Sequence, residues 1–297
     1  MDRHDPLPII IDTLMAMNAF PEEVDLPTVL QATQEHVQKL RLAFRDIPCH
    51  VDYSDRYVRG AYMLAYFPYY IEPVHTVLSR IRLAGTNPIP NKRQISVCVF
   101  GSGPTPEALG VMAYLQQRCP TCTQAHFSLL DAAADGWQRC TGLCFDQLQP
   151  HYWDGEATHS LHECNLLSQC NQCGTNCTAQ LQNADLVILQ NCLNDIIVDR
   201  NAVVGKAISI FRRMRPGAIF ICIDLNFDEI RRALQAVSEQ VTAAGLGTVL
   251  HPVAEAHHEI SRSFDIPPAM LEHLYIGDDG LRPRRYTRFY ALALQKV

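Results

Sequence analysis

The feature that most constrains this chain is an apolar run that stops at a glycine turn. Ile95-Ser96-Val97-Cys98-Val99-Phe100 leads into Gly101-Ser102-Gly103-Pro104. Thr105-Pro106-Glu107-Ala108-Leu109 then opens a helix with a capping residue, a first-turn proline and an early acid. The order strand, tight turn, helix recurs downstream. Strands are expected at 125–130, ending at Asp131, at 160–164, at 184–190, and at 218–224 after the turn Arg215-Pro216-Gly217. A helix is expected from about 133 to 148, and 286–296 reads as a last strand. Near-continuous apolar strands between helices imply a mostly parallel sheet covered on both faces. The expected fold class is therefore α/β, a doubly wound, Rossmann-like sheet.

Residues 1–92 have a different texture. Leu26 to Phe44, after the helix-breaking Pro21, carries apolar residues at mixed three and four spacings and reads as helix. Six of the eleven tyrosines, Tyr53, Tyr57, Tyr62, Tyr66, Tyr69 and Tyr70, crowd into eighteen residues. Such a stripe serves either as core, because tyrosine buries a large area and needs one partner for its hydroxyl, or as a lid or pocket wall. Turn formers across 83–91 mark a boundary. Two units are expected: an amino-terminal helical cap, 1–92, and a sheet domain, 93–297.

Composition narrows the function. With 25 basic and 31 acidic residues the chain carries a net charge of −6, without the basic excess that phosphate-backbone binding requires, so nucleic acid is disfavoured as a partner. No apolar run reaches the length of a membrane span, and Met1-Asp2-Arg3-His4-Asp5-Pro6 is no signal-peptide start. A cytoplasmic protein without a membrane partner is expected. Nine of the twelve cysteines lie between Cys119 and Cys192, and in a chain of this kind they read as reduced thiols or metal ligands.

In an open parallel sheet, ligands bind beyond the carboxyl ends of the strands, where a glycine turn lets backbone approach closely. Gly101 and Gly103 sit at that place, and Asp131, ending the second strand, is suited to accept hydrogen bonds from ribose hydroxyls. Pro106 occupies the third glycine position of the dinucleotide fingerprint, which weakens the alternative of a nicotinamide-dependent oxidoreductase.

On these residues the chain, over about 94–297, resembles the class I S-adenosylmethionine-dependent methyltransferases. Val99-Phe100-Gly101-Ser102-Gly103-Pro104 is similar to their first motif, Asp131 to the acid that holds the ribose, and Asn165 to the residue facing the adenine. Ala184 to Asp195 is similar to the fourth motif beside the transferred methyl, and Arg215-Pro216-Gly217-Ala218 to the turn before the fifth strand. The resemblance implies S-adenosylmethionine as cofactor, held by Phe100, Gly101, Ser102, Gly103, Pro104, Asp131, Ala132, Asn165, Leu166, Gln190 and Asn191. Ala65-Tyr66-Phe67-Pro68-Tyr69-Tyr70 and Leu193-Asn194-Asp195 also resemble the methyltransferase-like assembly factors of the mitochondrial small ribosomal subunit, although that family's Cys-Pro-His segment has no counterpart here.

Transfer of a sulfonium methyl depends on alignment, and a base is required only for some acceptors. Asp195, His162 and Tyr66 are the candidate bases, and Tyr62, Tyr66, Tyr69, Tyr70 and Asn194 the candidate acceptor contacts. Arg56 and Arg59 could reach a carboxylate or remain solvated. A small-molecule methyl acceptor is the first expectation, with an RNA- or ribosome-associated assembly factor or a non-catalytic binding protein as the alternative. Cys164, Cys170, Cys173 and Cys177 have spacings that could hold zinc or an iron–sulfur cluster; otherwise they are reduced thiols. The Cys119/Cys122 pair precedes the second strand and so belongs to the opposite edge of the sheet. Cys140 and Cys144, four apart on a helix, are expected to face the core.

Overall fold

The chain's structure, a computed structural model, describes residues 5–297 except 19, 22, 90, 167–173, 197–198 and 276–280, with backbone alone at 174–176. Three helices open it: α1 (Leu7–Met17), α2 (Leu26–Ala43) and α3 (Arg56–Ala65). Aspartates start the second and third. The Asp25 carboxylate accepts the Thr28 N–H at 2.9 Å and the Asp55 carboxylate the Tyr57 N–H at 2.8 Å, each satisfying a donor that the first helical turn leaves over. A single turn, α4 (Phe67–Tyr70), and α5 (Glu72–Leu83) complete the amino-terminal helices.

The strands and helices then alternate. β1 (Gln94–Phe100), α6 (Pro106–Arg118), β2 (Gln124–Asp131), α7 (Ala134–Leu143), β3 (Glu156–Glu163) and α8 (Gly174–Asn183) are followed by β4 (Leu186–Gln190), α9 (Leu193–Ile196) and α10 (Arg200–Arg213). The rest comprises β5 (Ile219–Leu225), α11 (Asp228–Ala243), β6 (Gly247–His251), β7 (His258–Ser261), α12 (Pro268–His273) and β8 (Tyr286–Lys296). The sheet runs β3-β2-β1-β4-β5-β8-β6, with β7 also pairing β8. The first five strands are mutually parallel and β8 runs antiparallel to β5 and β6. The order reverses direction between β1 and β4, and this switch point is where such sheets open a crevice for ligands.

Because β1, β4 and β5 are buried on both faces, successive residues feed two separate cores. Val97, Val99, Ile188 and Ile221 join the core shared with the amino-terminal helices and α6. Cys98, Phe100, Val187 and Phe220 join the core beneath α8, α10 and α11. At the amino edge, Asp185 is 7% exposed and pairs with Lys92 at 2.6 Å and with Arg215, tying β4 to the segments entering β1 and β5. No helix of the described residues is long and apolar enough to cross a membrane.

The structure departs from the sequence reading in three places. β3 starts at Glu156 rather than 160; as an edge strand it is ladder-bonded on one side and tolerates Glu156, Thr158 and His159, which hide it from a search for apolar runs. The helix expected over 133–148 stops at Leu143 and continues as a π-helical turn over Cys144–Leu148. β6 and β7 are five and four residues long and partly exposed, so they carry little pattern.

The amino-terminal helices dock on α6 at Gly110. A methyl added there would overlap the Ile71 carbonyl oxygen and the Val74 side chain. Gly110→Ala is therefore expected to destabilise the protein by about 1–3 kcal/mol through overpacking, read as a lower urea midpoint with an unchanged slope. An unchanged midpoint would show that this contact yields without cost.

Candidate functional site

The carboxyl ends of β1, β2 and β4 open into a cavity of about 800 Å³. Its floor begins with the glycine turn, where Gly101 has φ +60 and Gly103 φ +47, a backbone region that residues with a Cβ rarely adopt. A methyl on Gly101 would lie 2.6 Å from Cys192 Cβ, so the turn is pressed against the loop that leaves β4. Thr105, at φ 64, holds the same left-handed conformation without being glycine, a strained entry to α6 of the sort that gathers at functional sites.

Asp131 ends β2 with both carboxylate oxygens engaged. One accepts the Gly103 N–H at 2.7 Å and the other the Ala133 N–H at 2.8 Å. Burial outweighs these bonds and pushes the carboxyl above its ordinary range. Each carboxylate oxygen accepts more than one hydrogen bond, which leaves room for two further donors from the cavity. At the end of β4, Gln190 Nε2 donates to the Tyr70 carbonyl at 2.7 Å, while its buried Oε1 has no hydrogen-bond partner among the described residues. Asn191, at φ 53, then turns the chain toward Asp195.

Asp195 is held in place by a second strand-end acid. Asp224 on β5 is fully buried and accepts the N–H groups of Leu193 at 2.7 Å, Asn194 at 3.3 Å and Leu225 at 2.7 Å. Desolvation outweighs those bonds and pushes its carboxyl up to about 7. Asp195 is raised well above the usual range, first by burial and next by the neighbouring Asp224, with a hydrogen bond from the Cys49 thiol acting in the opposite direction.

The wall opposite the sheet comes from the amino-terminal segment. Arg59 Nη1 donates to the carbonyls of Tyr53 at 2.8 Å and Ser54 at 2.7 Å and so fixes the loop 49–54 over the cavity. The Cys49 N–H donates to the Asn194 carbonyl at 2.9 Å, joining that loop to the end of β4. Tyr53, Tyr62 and Trp137 meet at centroid separations of 5.3 to 5.8 Å, and burial pushes the Tyr53 and Tyr62 phenols well above their ordinary value, with the Asp195 charge adding to the rise.

Of the residues singled out from sequence, Gly101, Gly103, Pro104, Asp131, Ala132, Asn165, Leu166, Gln190 and Asn191 line this cavity together with Asp195, Tyr62 and Tyr70. Phe100 and Ser102 do not line it; both are 1% exposed and packed beneath the turn. Tyr66 lies beyond this cavity. Its ring lies 5.9 Å from those of Tyr62 and Tyr70 and lines a different cavity. Tyr69 packs edge-on against Phe264 at 5.0 Å, and Asn194 is fully buried, donating to Asp195 at 3.0 Å. His162 sits on the edge strand in register with Leu130 and lines no part of the cavity. Arg56 and Arg59 do not line it either.

The thiols follow the topology. Cys164 and Cys177 are buried with their sulfurs 3.5 Å apart, while Cys170 and Cys173 lie outside the described residues. Cys119 and Cys122 sit before β2 at the far edge, and Cys140 and Cys144 are fully buried. Among the described residues no group of three or more His, Cys, Asp or Glu is placed to hold a metal ion.

Sequence reasoning missed Phe44, the loop residues 49–52 and 54, and Trp137, all of which line the cavity, whereas Tyr53 was read within the tyrosine stripe and Cys192 within the segment 184–195. Loop 49–54 follows a helix terminus and carries no motif, and Trp137 lay inside a segment read only as helix. Asp224 was visible as the polar end of an apolar strand, the same signal that Asp131 gives.

No protein-family model matches the chain, and no curated protein matches it. Among solved structures it is similar to a precorrin-6y C5,15-methyltransferase from Geobacter metallireducens, with TM-score 0.42 and 11% identity, covering 75% of this chain and 88% of that chain. An O-methyltransferase family protein from Burkholderia thailandensis is similar at TM-score 0.43 and 14% identity, covering 95% and 76%. An rRNA methylase from Streptococcus thermophilus is similar at TM-score 0.35 and 8% identity, covering 75% and 93%.

The folded chain keeps the Asp224 proton up to about pH 7, whereas an unfolded aspartate loses it near about pH 4. Stability from this group therefore falls as pH rises between those values, because the native state binds the extra proton. Asp224→Asn removes that titration. The wild type is expected to lose about 3 to 4 kcal/mol more than the variant across the interval, read from urea unfolding at stepped pH; parallel profiles would show that the carboxyl titrates near its ordinary value.

Proposed function

We propose that the chain is an S-adenosylmethionine-dependent methyltransferase whose cofactor occupies the 800 Å³ cavity. The observation that carries this reading is the convergence of three features at the switch point: a glycine turn in left-handed conformation, a strand-end carboxylate with acceptor capacity to spare, and the orphaned Gln190 Oε1. They suit a ligand that brings two neighbouring hydroxyls to Asp131 and an ammonium to Gln190. Asn165 lines the same cavity, where it would face the adenine. Bound there, S-adenosylmethionine supplies an electrophilic methyl on a sulfonium, which calls for alignment first and acid–base help second.

The chain's own residues supply the rest. Asp195, whose carboxyl is pushed toward neutrality, holds or takes the proton of a hydroxyl or amine acceptor. The Tyr53 and Tyr62 phenols remain protonated and act as donors, and with Trp137 they form an aromatic wall that excludes water. A volume of about 800 Å³ that must hold both partners favours a small-molecule acceptor. In this reading residues 1–92 serve as a cap on a cofactor-binding unit of residues 93–297.

The test is calorimetric titration of reduced protein with S-adenosylhomocysteine. Wild type is expected to bind at one site, and Asp131→Ala to bind more weakly by about 1.5–3 kcal/mol. Gln190→Leu, which leaves the Gly103 and Ala133 contacts of Asp131 intact, is expected to weaken binding as well. Absence of heat and of any thermal shift in well-folded wild type would overturn the reading in favour of a non-catalytic binding role.

A further inference from the structure

On the other side of Tyr66 and Tyr70 lies a second cavity, of about 610 Å³. Six arginines line it: Arg41, Arg45, Arg282, Arg284, Arg285 and Arg288. Among the described residues no aspartate or glutamate does. In a chain of net charge −6 this is a local concentration of positive charge, and like charges gathered in a concave, partly dry site repel one another unless an anion joins them.

The arginines differ in what holds them. Arg288 pairs with Glu259 at 2.6 Å and lies over the Tyr286 ring. Arg284 is fixed in the cavity wall by neutral groups, donating to the Tyr70 hydroxyl at 3.1 Å and the Tyr286 carbonyl at 2.9 Å, with its guanidinium 5.3 and 5.1 Å from the Tyr66 and Tyr70 ring centroids. Arg41 donates to the Arg282 carbonyl, and Arg45, Arg282 and Arg285 are exposed. Among the described residues none of these five has a carboxylate within ion-pair distance. A guanidinium presents a rigid fork of donors that matches phosphate oxygens, and each phosphoryl group brings up to two negative charges and three acceptors. Two phosphoryl groups therefore answer the five arginines better than a single carboxylate does. A cavity of about 610 Å³ is of the size that takes a small ligand, which favours a small molecule as its occupant.

We propose that this cavity binds a small molecule carrying at least two phosphoryl groups. The inference rests on the arginine cavity alone and is independent of the methyltransferase reading.

The probe is inorganic pyrophosphate, titrated by calorimetry into the full chain without cofactor, at low and at near-physiological salt. Wild type is expected to bind one equivalent at both. The exposed double variant Arg45→Ala/Arg285→Ala, which leaves the packed Arg284 untouched, is expected to bind at least about tenfold more weakly, and Arg284→Gln weaker still. Arg118→Ala, on the exposed end of α6, should bind as wild type does. No binding by folded wild type, or an equal loss in the Arg118→Ala control, overturns the proposal. Tighter binding of a single-stranded oligoribonucleotide that displaces pyrophosphate would also overturn it and assign the surface to nucleic acid.

Discussion

The Asp131 carboxyl takes the Gly103 N–H on one oxygen and the Ala133 N–H on the other, and the open end of the sheet is organised around this pair of bonds. They clamp the turn that leaves β1 to the start of α7, two segments that would otherwise end in unsatisfied backbone donors. Asp224 repeats the device one turn of the fold later, gathering three N–H groups from the ends of β4 and β5. In both places a buried carboxyl accepts the backbone N–H groups that water would otherwise satisfy, so the loops can close tightly and keep left-handed residues in position.

The cost appears in the carboxyls themselves. Asp195 lies close enough to feel both Asp224 and Asp131, Glu107 is 2% exposed and feels Asp131, and burial is the first cause of the upward shift in all four. Across the ladder of Tyr62, Tyr66 and Tyr70 the sign reverses to a cavity lined by arginines. Phe44 and Tyr70 line both cavities, so an aromatic partition separates an acidic compartment from a basic one.

Much of this was legible in the sequence, for physical reasons. Strands buried on both faces must be continuously apolar, so β1, β2, β4, β5 and β8 announced themselves, and their polar ends marked the site at Gly101, Asp131 and Gln190. The edge strand β3 and the short β6 and β7 lack that requirement and were found late or not at all. The tyrosine cluster was visible as a cluster, but which rings face which cavity depends on helix rotation and on the break between α3 and α4. Hence Tyr62 and Tyr70 reach the first cavity while Tyr66 turns to the second and Tyr69 to Phe264. The arginine cavity draws on Arg41 and Arg45 and on residues 282–288, segments more than two hundred positions apart, and no local pattern joins them.

The contact at Gly110 carries an evolutionary consequence. Because α6 has no side chain where the Ile71 carbonyl and Val74 press on it, the amino-terminal helices and the sheet cannot diversify independently. In a lineage where position 110 acquires a side chain, the overlap is relieved by a smaller residue at 74 together with a shift of the backbone at 71. Paired change at these sites would therefore distinguish descendants that kept the wall over the strand ends from those that discarded it.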